Sequence, residues 1–126
     1  PDHFIDDPDW PFVAPLAAAR DAEFRYDAAE RERDHGTLVY DSGPLGRPTT
    51  ILGEPEAELF VAADTPDADL VLFIVEHRAD GRSIVLSRGQ LRLRYREGFD
   101  RELWLTPGEP VQVRIPMMYV AHELPA

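Results

Sequence analysis

The chain has 126 residues, enough for one domain with its own core, and 44% of them are hydrophobic, as in globular rather than disordered proteins. Its net charge of −11, from 24 acidic and 13 basic residues, argues against binding to nucleic acid or to an anionic membrane, because both would repel it. The absence of cysteine excludes disulfides, thiolate nucleophiles and cysteine-based zinc sites, and leaves the compartment open, with the cytoplasm favoured.

Residues 1–36 are predicted to form an arm that precedes the main domain. Prolines are frequent up to Pro15, and proline neither continues a helix nor donates to a strand ladder, so this part is predicted to be extended. Residues 16–34 are rich in alanine and then in charge, which fits either a short helix or a linker. Gly36 would end either one.

From residue 37 the sequence changes to short β-like runs separated by turn residues. These runs lie at residues 37–40, 49–53, 57–63, 69–76, 83–96, 111–115 and 117–126. The run at 69–76 is nearly all apolar, as expected of a central strand covered on both faces, and the Asp80-Gly81 pair predicts a hairpin turn. Five or six strands among these runs, with turn residues between them, predict an all-β sandwich.

Apolar residues alternate with arginine from Leu91 to the end of the fifth run. This pattern predicts a half-buried strand whose apolar side chains face a core, while its arginines, Arg92, Arg94 and Arg96, face away. Such a stripe fits a phosphate or polysaccharide site, cross-strand pairs with Asp or Glu, or contacts with an acidic partner domain, since arginine binds carboxylates through two parallel hydrogen bonds. Trp104 and Tyr119 fit either interface anchors or core residues.

Asp64, Asp67 and Asp69 place three carboxylates in one loop, and calcium prefers such clusters of oxygen ligands. The loop lacks the glycine and the distal glutamate of an EF-hand. We therefore expect mainly turn hydrogen bonds and strand capping here, with calcium as the alternative. No cofactor is predicted elsewhere in the chain.

No residue of the chain is predicted to be catalytic. The segment Gly81-Arg82-Ser83-Ile84-Val85 comes nearest to a G-x-S-x-G nucleophile elbow, but Val85 replaces the last glycine. Ser83 is also predicted to lie in a turn that opens a strand, whereas the elbow needs a strand before the serine and a helix after it. The four histidines are scattered, and no pair has helical metal-ligand spacing.

The β portion resembles the C-terminal jelly-roll domain of the Xaa-Pro dipeptidyl-peptidase, cocaine-esterase and α-amino-acid ester hydrolase group. The matching blocks follow one another in the family's order, at residues 38–45, 51–55, 59–61, 67–69, 80–83, 87–96 and 105–115. The resemblance implies a jelly-roll β-sandwich, similar to galactose-binding domains, over residues 37–126. The family continues beyond a segment like residues 122–126 into a Gly-His-Arg block and further strands, so we expect this domain to be truncated at its C-terminal end.

The resemblance further implies a non-catalytic C-terminal domain of a serine hydrolase that acts on peptide, ester or acyl bonds. The serine, aspartate and histidine would lie upstream, on an α/β-hydrolase catalytic domain in the same polypeptide or in a split partner. The role of this chain would be to pack on that domain, shape the mouth of the active site and support homo-oligomer contacts. The alternatives are a free-standing lectin-like or protein-binding jelly-roll module, and an assembly domain without a ligand.

Overall fold

The computed structural model describes residues 37–126, which form six β-strands and one short 3₁₀ helix. In chain order these elements are β1 (Thr49–Gly53), β2 (Glu56–Val61), β3 (Asp69–His77), β4 (Ser83–Arg92), the 3₁₀ helix (Leu93–Tyr95), β5 (Val111–Pro116) and β6 (Val120–Leu124). The prediction of an all-β fold with antiparallel pairing, as in a β-sandwich, is confirmed. The predicted arm, residues 1–36, lies outside the described residues.

The strand pairs are nested within one another. β3 pairs with β4, β2 with β5 and β1 with β6, so each pair encloses the previous one along the chain. A jelly roll has this order of pairing, because it is a long two-stranded ribbon that has been rolled up. In the middle pair the strands are antiparallel, with Glu56 opposite Pro116 and Val61 opposite Val111.

The chain divides into two compact units, and the described part of the first comprises residues 37–50, Val75–Leu86 and Glu123–Ala126. It contains the turn between β3 and β4, where the Gly81 N–H donates to the Arg78 carbonyl at 2.9 Å. Gly81 has a φ of +85°, which suits glycine, so the predicted Asp-Gly hairpin is confirmed. Next to the turn, Ile84 is completely buried.

The second unit, Ile51–Ile74 and Ser87–His122, contains the main hydrophobic cluster. Four buried side chains form its centre, those of Leu93, Leu105, Val113 and Ile115. Burial alternates along β2 and β5, so that Leu59 and Val113 pair on the side of the cluster while Glu58 and Arg114 pair on the side of the solvent. The period-two pattern of the sequence therefore marks the inner face of these strands correctly.

Several predicted strands differ in the structure. The run predicted at 57–63 is β2 at Glu56–Val61, and the run predicted at 117–126 is β6 at Val120–Leu124. Residues 37–40 form no strand, although they are rich in β-forming residues. The strand predicted at 69–76 extends one residue further, to His77, and Val71 on it remains 54% exposed, so its first half is covered on one face only.

The long alternating strand ends at Arg92 and not at Arg96, because the backbone N–H groups beyond Arg92 donate to the loop between β2 and β3 instead of to a neighbouring strand. The Leu93 N–H donates to the Ala68 carbonyl at 2.9 Å, and the Arg94 N–H donates to Asp67 Oδ1 at 3.0 Å. Both N–H groups therefore have acceptors without a β-ladder, and the chain continues as the 3₁₀ helix.

Gly89 lies where β4 passes close to the end of β5 and to Met117, the residue that follows it. A Cβ at this position would lie 2.9 Å from Ile115 Cγ2, 2.9 Å from the Pro116 carbonyl oxygen and 3.0 Å from Met117 Cγ. The Met118 N–H donates to the Arg88 carbonyl at 2.9 Å and holds the two segments together. The close approach therefore requires a residue without a side chain.

We expect Gly89→Ala to lower the free energy of unfolding by about 1–3 kcal/mol, because the methyl group overpacks this contact. The matched control is Gly46→Ala, since a Cβ at Gly46 meets no atom within 4 Å. The control is expected to change stability by less than about 1 kcal/mol in either direction. Urea unfolding of both variants measures the difference, and equal stabilities would contradict the close approach.

Candidate interaction surface

Arg94 organises the segment between β4 and β5. Its Nε lies 3.5 Å from Asp67 Oδ2 and 3.8 Å from Glu102 Oε1. Its guanidinium carbon lies 5.2 Å from the centroid of the Tyr95 ring and 5.2 Å from that of Trp104, a distance at which cation–π attraction operates. The Nε is shielded from solvent and makes no hydrogen bond to any group that the structure describes. Ionic attraction and ring contacts therefore hold this side chain.

Arg96 fastens the two limbs of the same segment to each other. Its guanidinium donates hydrogen bonds to the carbonyls of Leu93, at 3.0 Å, and of Leu103. The backbone adds a further link, from the Leu103 N–H to the Arg94 carbonyl at 2.8 Å. The two bonds that involve Leu103 join the start of the segment to its end, so the loop is closed at its base.

The segment carries three aromatic side chains, and two of them are exposed. The Phe99 ring centroid lies 5.5 Å from that of Tyr95, and the Tyr95 hydroxyl donates to Glu102 Oε1 at 2.9 Å. Phe99 is 90% exposed and Trp104 is 53% exposed. We refer to Arg94, Tyr95, Phe99 and Trp104 together as the aromatic ridge.

Arg92 lies outside the ridge and forms a two-pronged ion pair with Asp69. Its Nε donates to Asp69 Oδ1 at 2.7 Å, and its Nη2 donates to Oδ2 at 2.8 Å. These hydrogen bonds hold the pKa of the Asp69 carboxyl below its usual value and raise the pKa of the guanidinium. Both side chains are about half exposed, so the pair contributes little to stability.

The carboxylates considered for calcium are thus used in another way. Asp67 faces the side chain of Arg94, and Asp69 faces that of Arg92. Among residues 37–126, no group of three or more His, Cys, Asp or Glu side chains is arranged to hold a metal ion. Arginine neighbours would also oppose a cation here, because they carry the same charge.

The five residues predicted for an interface do not form one continuous surface. Arg94 and Trp104 meet in the ridge, Arg96 is used inside the segment, and Arg92 pairs with β3. Tyr119 belongs to another segment, between β5 and β6, and is 60% exposed. The exposure of Trp104 and Tyr119 shows that the core alternative is wrong for both, while their interface role stays a prediction.

Phe99 was missed by the sequence analysis. The signal was its position between Gly98 and Asp100, since an aromatic residue flanked by turn formers has no strand or helix to bury it. The structure places it in the turns that follow the 3₁₀ helix, where Gly98 has a φ of +131°.

The first unit contains an acid–histidine pair that the sequence did not reveal. His77 Nδ1 lies 3.2 Å from Asp41 Oδ2, and the Gly43 N–H also donates to this carboxylate, at 2.7 Å. The hydrogen bond from Gly43 and the contact with His77 lower the pKa of the Asp41 carboxyl.

Ser83 is the first residue of β4 and is buried, so its surroundings differ from the exposed strand-to-helix turn of a nucleophile elbow.

Residues 37–126 include no helix with the length and apolar character needed to cross a membrane.

Known proteins resemble this chain in sequence and in structure. The family model of the X-Pro dipeptidyl-peptidase C-terminal non-catalytic domain matches residues 8–126. A cocaine esterase from Rhodococcus sp. (strain MB1 Bresler) is 35% identical over 81 residues, which are 64% of this chain and 14% of the esterase. The crystal structure of an aminopeptidase from the marine sediment archaeon Thaumarchaeota archaeon matches with a TM-score of 0.72 and 31% identity, over 79% of this chain and 18% of that one. The matched part is therefore less than a fifth of either relative.

We expect Arg96→Met to lower the free energy of unfolding by about 1–3 kcal/mol, because two carbonyls lose a charged donor. Arg101→Met is the control, since Arg101 is 61% exposed and pairs with Glu97, four residues earlier in the chain. This control is expected to cost less than about 0.5 kcal/mol. Denaturant unfolding monitored by tryptophan fluorescence compares the two, and an equal loss would contradict the role assigned to Arg96.

We expect Arg92→Gln to raise the pKa of the Asp69 carboxyl toward its ordinary value of about 3.9. A carboxyl ¹³C NMR titration of both proteins measures this change. The folded-state pKa of Asp69 is lowered, so its contribution to stability is present above the unfolded-state pKa and is lost as the pH falls through the folded-state value. The stability difference between the two proteins should therefore shrink at strongly acidic pH.

Asp80 is the internal control for this titration, because the backbone N–H and the guanidinium of Arg82 lower the pKa of its carboxyl. Its titration should be the same in both proteins. An unchanged Asp69 titration in the variant would show that Arg92 is not the cause of the shift.

Proposed function

We propose that this chain, which belongs to the family of X-Pro dipeptidyl-peptidase C-terminal non-catalytic domains, is the accessory β-sandwich of a larger peptidase or esterase. The observation that carries this proposal is the family match over residues 8–126. The membership confirms the family resemblance seen in the sequence. The names of the two relatives, an esterase and an aminopeptidase, indicate hydrolysis of ester or peptide bonds as the reaction of the whole protein.

In this proposal the reaction takes place on a catalytic domain of the α/β-hydrolase type. A serine there attacks the carbonyl carbon, a histidine accepts the serine proton and passes it to the leaving group, and an aspartate orients the histidine. Water then hydrolyses the acyl-enzyme. Peptide and ester substrates share this route because both present a carbonyl carbon with a leaving group.

The contribution of this chain is to position and not to react. Arg92, Arg94 and Arg96 are engaged with carboxylates and carbonyls of the same domain, whereas the rings of Phe99, Trp104 and Tyr119 are exposed to solvent. Such a surface suits contact with another protein surface, because exposed Trp, Tyr and Phe bury much area at low entropic cost. Packed on the catalytic domain, the sandwich would form one wall of the active-site mouth and limit which substrates enter.

The alternative of a free-standing lectin-like module receives less support. A sugar-binding face is concave and presents aromatic rings. The depression beside Gly89 has a volume of about 350 Å³ and is lined by Arg88, Gly89, Gln90, Pro116, Met117 and Met118. No aromatic ring lines it, and the exposed rings of the ridge lie on a different segment.

The test uses a serine-directed fluorophosphonate probe on the complete product of the native gene and on the 126-residue chain. We expect the gene product to be labelled, to hydrolyse X-Pro p-nitroanilides or p-nitrophenyl esters, and to have a mass several-fold above 14.3 kDa. The 126-residue chain is expected to be unlabelled and inactive. Heat-denatured gene product is the control for non-specific labelling.

Three results would contradict the proposal: labelling of a serine within these 126 residues, a gene product with a mass near 14.3 kDa, or an unlabelled gene product that hydrolyses neither substrate. Saturable sugar binding by the inactive gene product would favour the lectin-like module instead.

A further inference from the structure

We propose that the aromatic ridge is the surface through which this domain docks on the catalytic domain of its own polypeptide. This inference rests on the proposed function and extends it, since it assigns the docking to one segment and to named side chains. It adds Tyr95 and Phe99 to the candidate residues and sets Arg92 and Tyr119 apart from the contact.

The exposure of the ridge is not explained by the core of the domain. Phe99 is 90% exposed and is not part of the hydrophobic cluster that Leu93 and Leu105 form at the two ends of the segment. A side chain of this size in water gains almost nothing from the fold, whereas burial in an interface would remove its apolar surface from water and stabilise the contact. Aromatic and arginine side chains are also the types that contribute most to binding when they become desolvated.

The ridge is ordered before it meets a partner. Asp67 holds the backbone and the guanidinium of Arg94, which contacts the rings of Tyr95 and Trp104. The guanidinium of Arg96 closes the base of the segment. A surface that is already fixed loses little conformational entropy on binding, so more of the contact energy appears as affinity.

The charge of the chain favours the catalytic domain over a second copy as the occupant. The chain carries a net charge of −11, and two copies repel each other. At the ridge, the carboxylates of Glu97 and Glu102 are about half exposed, and a symmetric contact would bring both pairs together. The matched part is 14% of one relative and 18% of the other, so most of such a protein lies outside this domain and offers a different surface.

The chemistry of the ridge defines the surface that fits it. The rings of Phe99 and Trp104 fit an apolar depression. The carboxylates of Glu97 and Glu102 already have partners within the domain but remain about half exposed, so they favour hydrogen-bond donors or basic side chains at its rim. We therefore expect the catalytic domain to present an apolar depression bordered by arginine, lysine or backbone N–H groups.

Phe60 offers a matched control on the same unit. It is 75% exposed on β2, opposite Gln112. Its face of the sheet is charged, because Arg114 Nη2 lies 3.3 Å from Glu58 Oε2. A single exposed ring in such surroundings is ordinary and needs no partner.

The experiment replaces Phe99 with the photo-cross-linking residue p-benzoylphenylalanine in the complete gene product. Phe60→p-benzoylphenylalanine is the control, and both substitutions keep an aromatic ring at an exposed position. After irradiation, mass spectrometry identifies the peptides joined to each site. For Phe99 we expect an intramolecular cross-link to a peptide of the catalytic domain, at several-fold higher yield than for Phe60.

Other outcomes overturn the docking surface. The first is a Phe99 cross-link that forms only within residues 1–126, such as to the N-terminal arm. The second is a cross-link only to a second copy, which is detected as a covalent dimer on a denaturing gel. The third is a cross-linking yield for Phe99 no higher than that for Phe60. Hydrolase activity of the irradiated and unirradiated variants shows that they are folded.

The two proposals fail separately. A gene product without a catalytic domain and without hydrolase activity refutes the proposed function. An active, multidomain product whose Phe99 forms no cross-link to the catalytic domain refutes the docking surface alone.

Discussion

The arrangement of the second unit depends on the carboxylate of Asp67. One of its oxygens accepts the backbone N–H of Arg94, and the other faces the guanidinium of the same residue at 3.5 Å. A backbone donor satisfied by a side chain does not need a neighbouring strand, so β4 ends and the chain turns. That turn places Leu93 in the core and leaves Phe99 exposed, in contact with the ring of Tyr95. A single carboxylate from a loop thus decides both where a strand stops and which side chains reach the solvent.

The arginine stripe forms contacts within the domain. Arg92 and Arg94 pair with Asp69 and Asp67, in line with the carboxylate pairing that the sequence offered as one alternative, and Arg96 donates to two backbone carbonyls. Trp104 and Tyr119, for which the core was the alternative, are exposed, and so is Phe99. This division is consistent with a domain that contributes shape and contact to a hydrolase and leaves the reaction to another part of the protein. Arginine suits the supporting role because its planar fork binds two acceptors at once.

Local patterns predicted those parts of the fold whose causes are local. Alternation along β5 and the turn residues before β1 placed both strands to within a residue, and the Asp80-Gly81 pair placed the hairpin. The end of β4 could not be read in this way, because the hydrogen bond that ends it joins residues 27 positions apart. The partner of Arg92 is 23 positions away, and the partner of His77 is 36. At the ridge, the sequence named Arg94 and Trp104 but passed over Phe99, since no periodic pattern marks a side chain in a turn.

The nested pairing of the strands has a consequence for the order in which the domain folds. The hairpin of β3 and β4 joins neighbours through a tight turn, so its closure costs the least chain entropy. Once it exists, β2 and β5 extend from its two ends and meet across a much shortened effective loop, and β1 and β6 follow in the same manner. Long-range pairing, which slows the folding of most β-proteins, is thereby divided into a series of short closures that proceed from the middle of the sequence toward its ends.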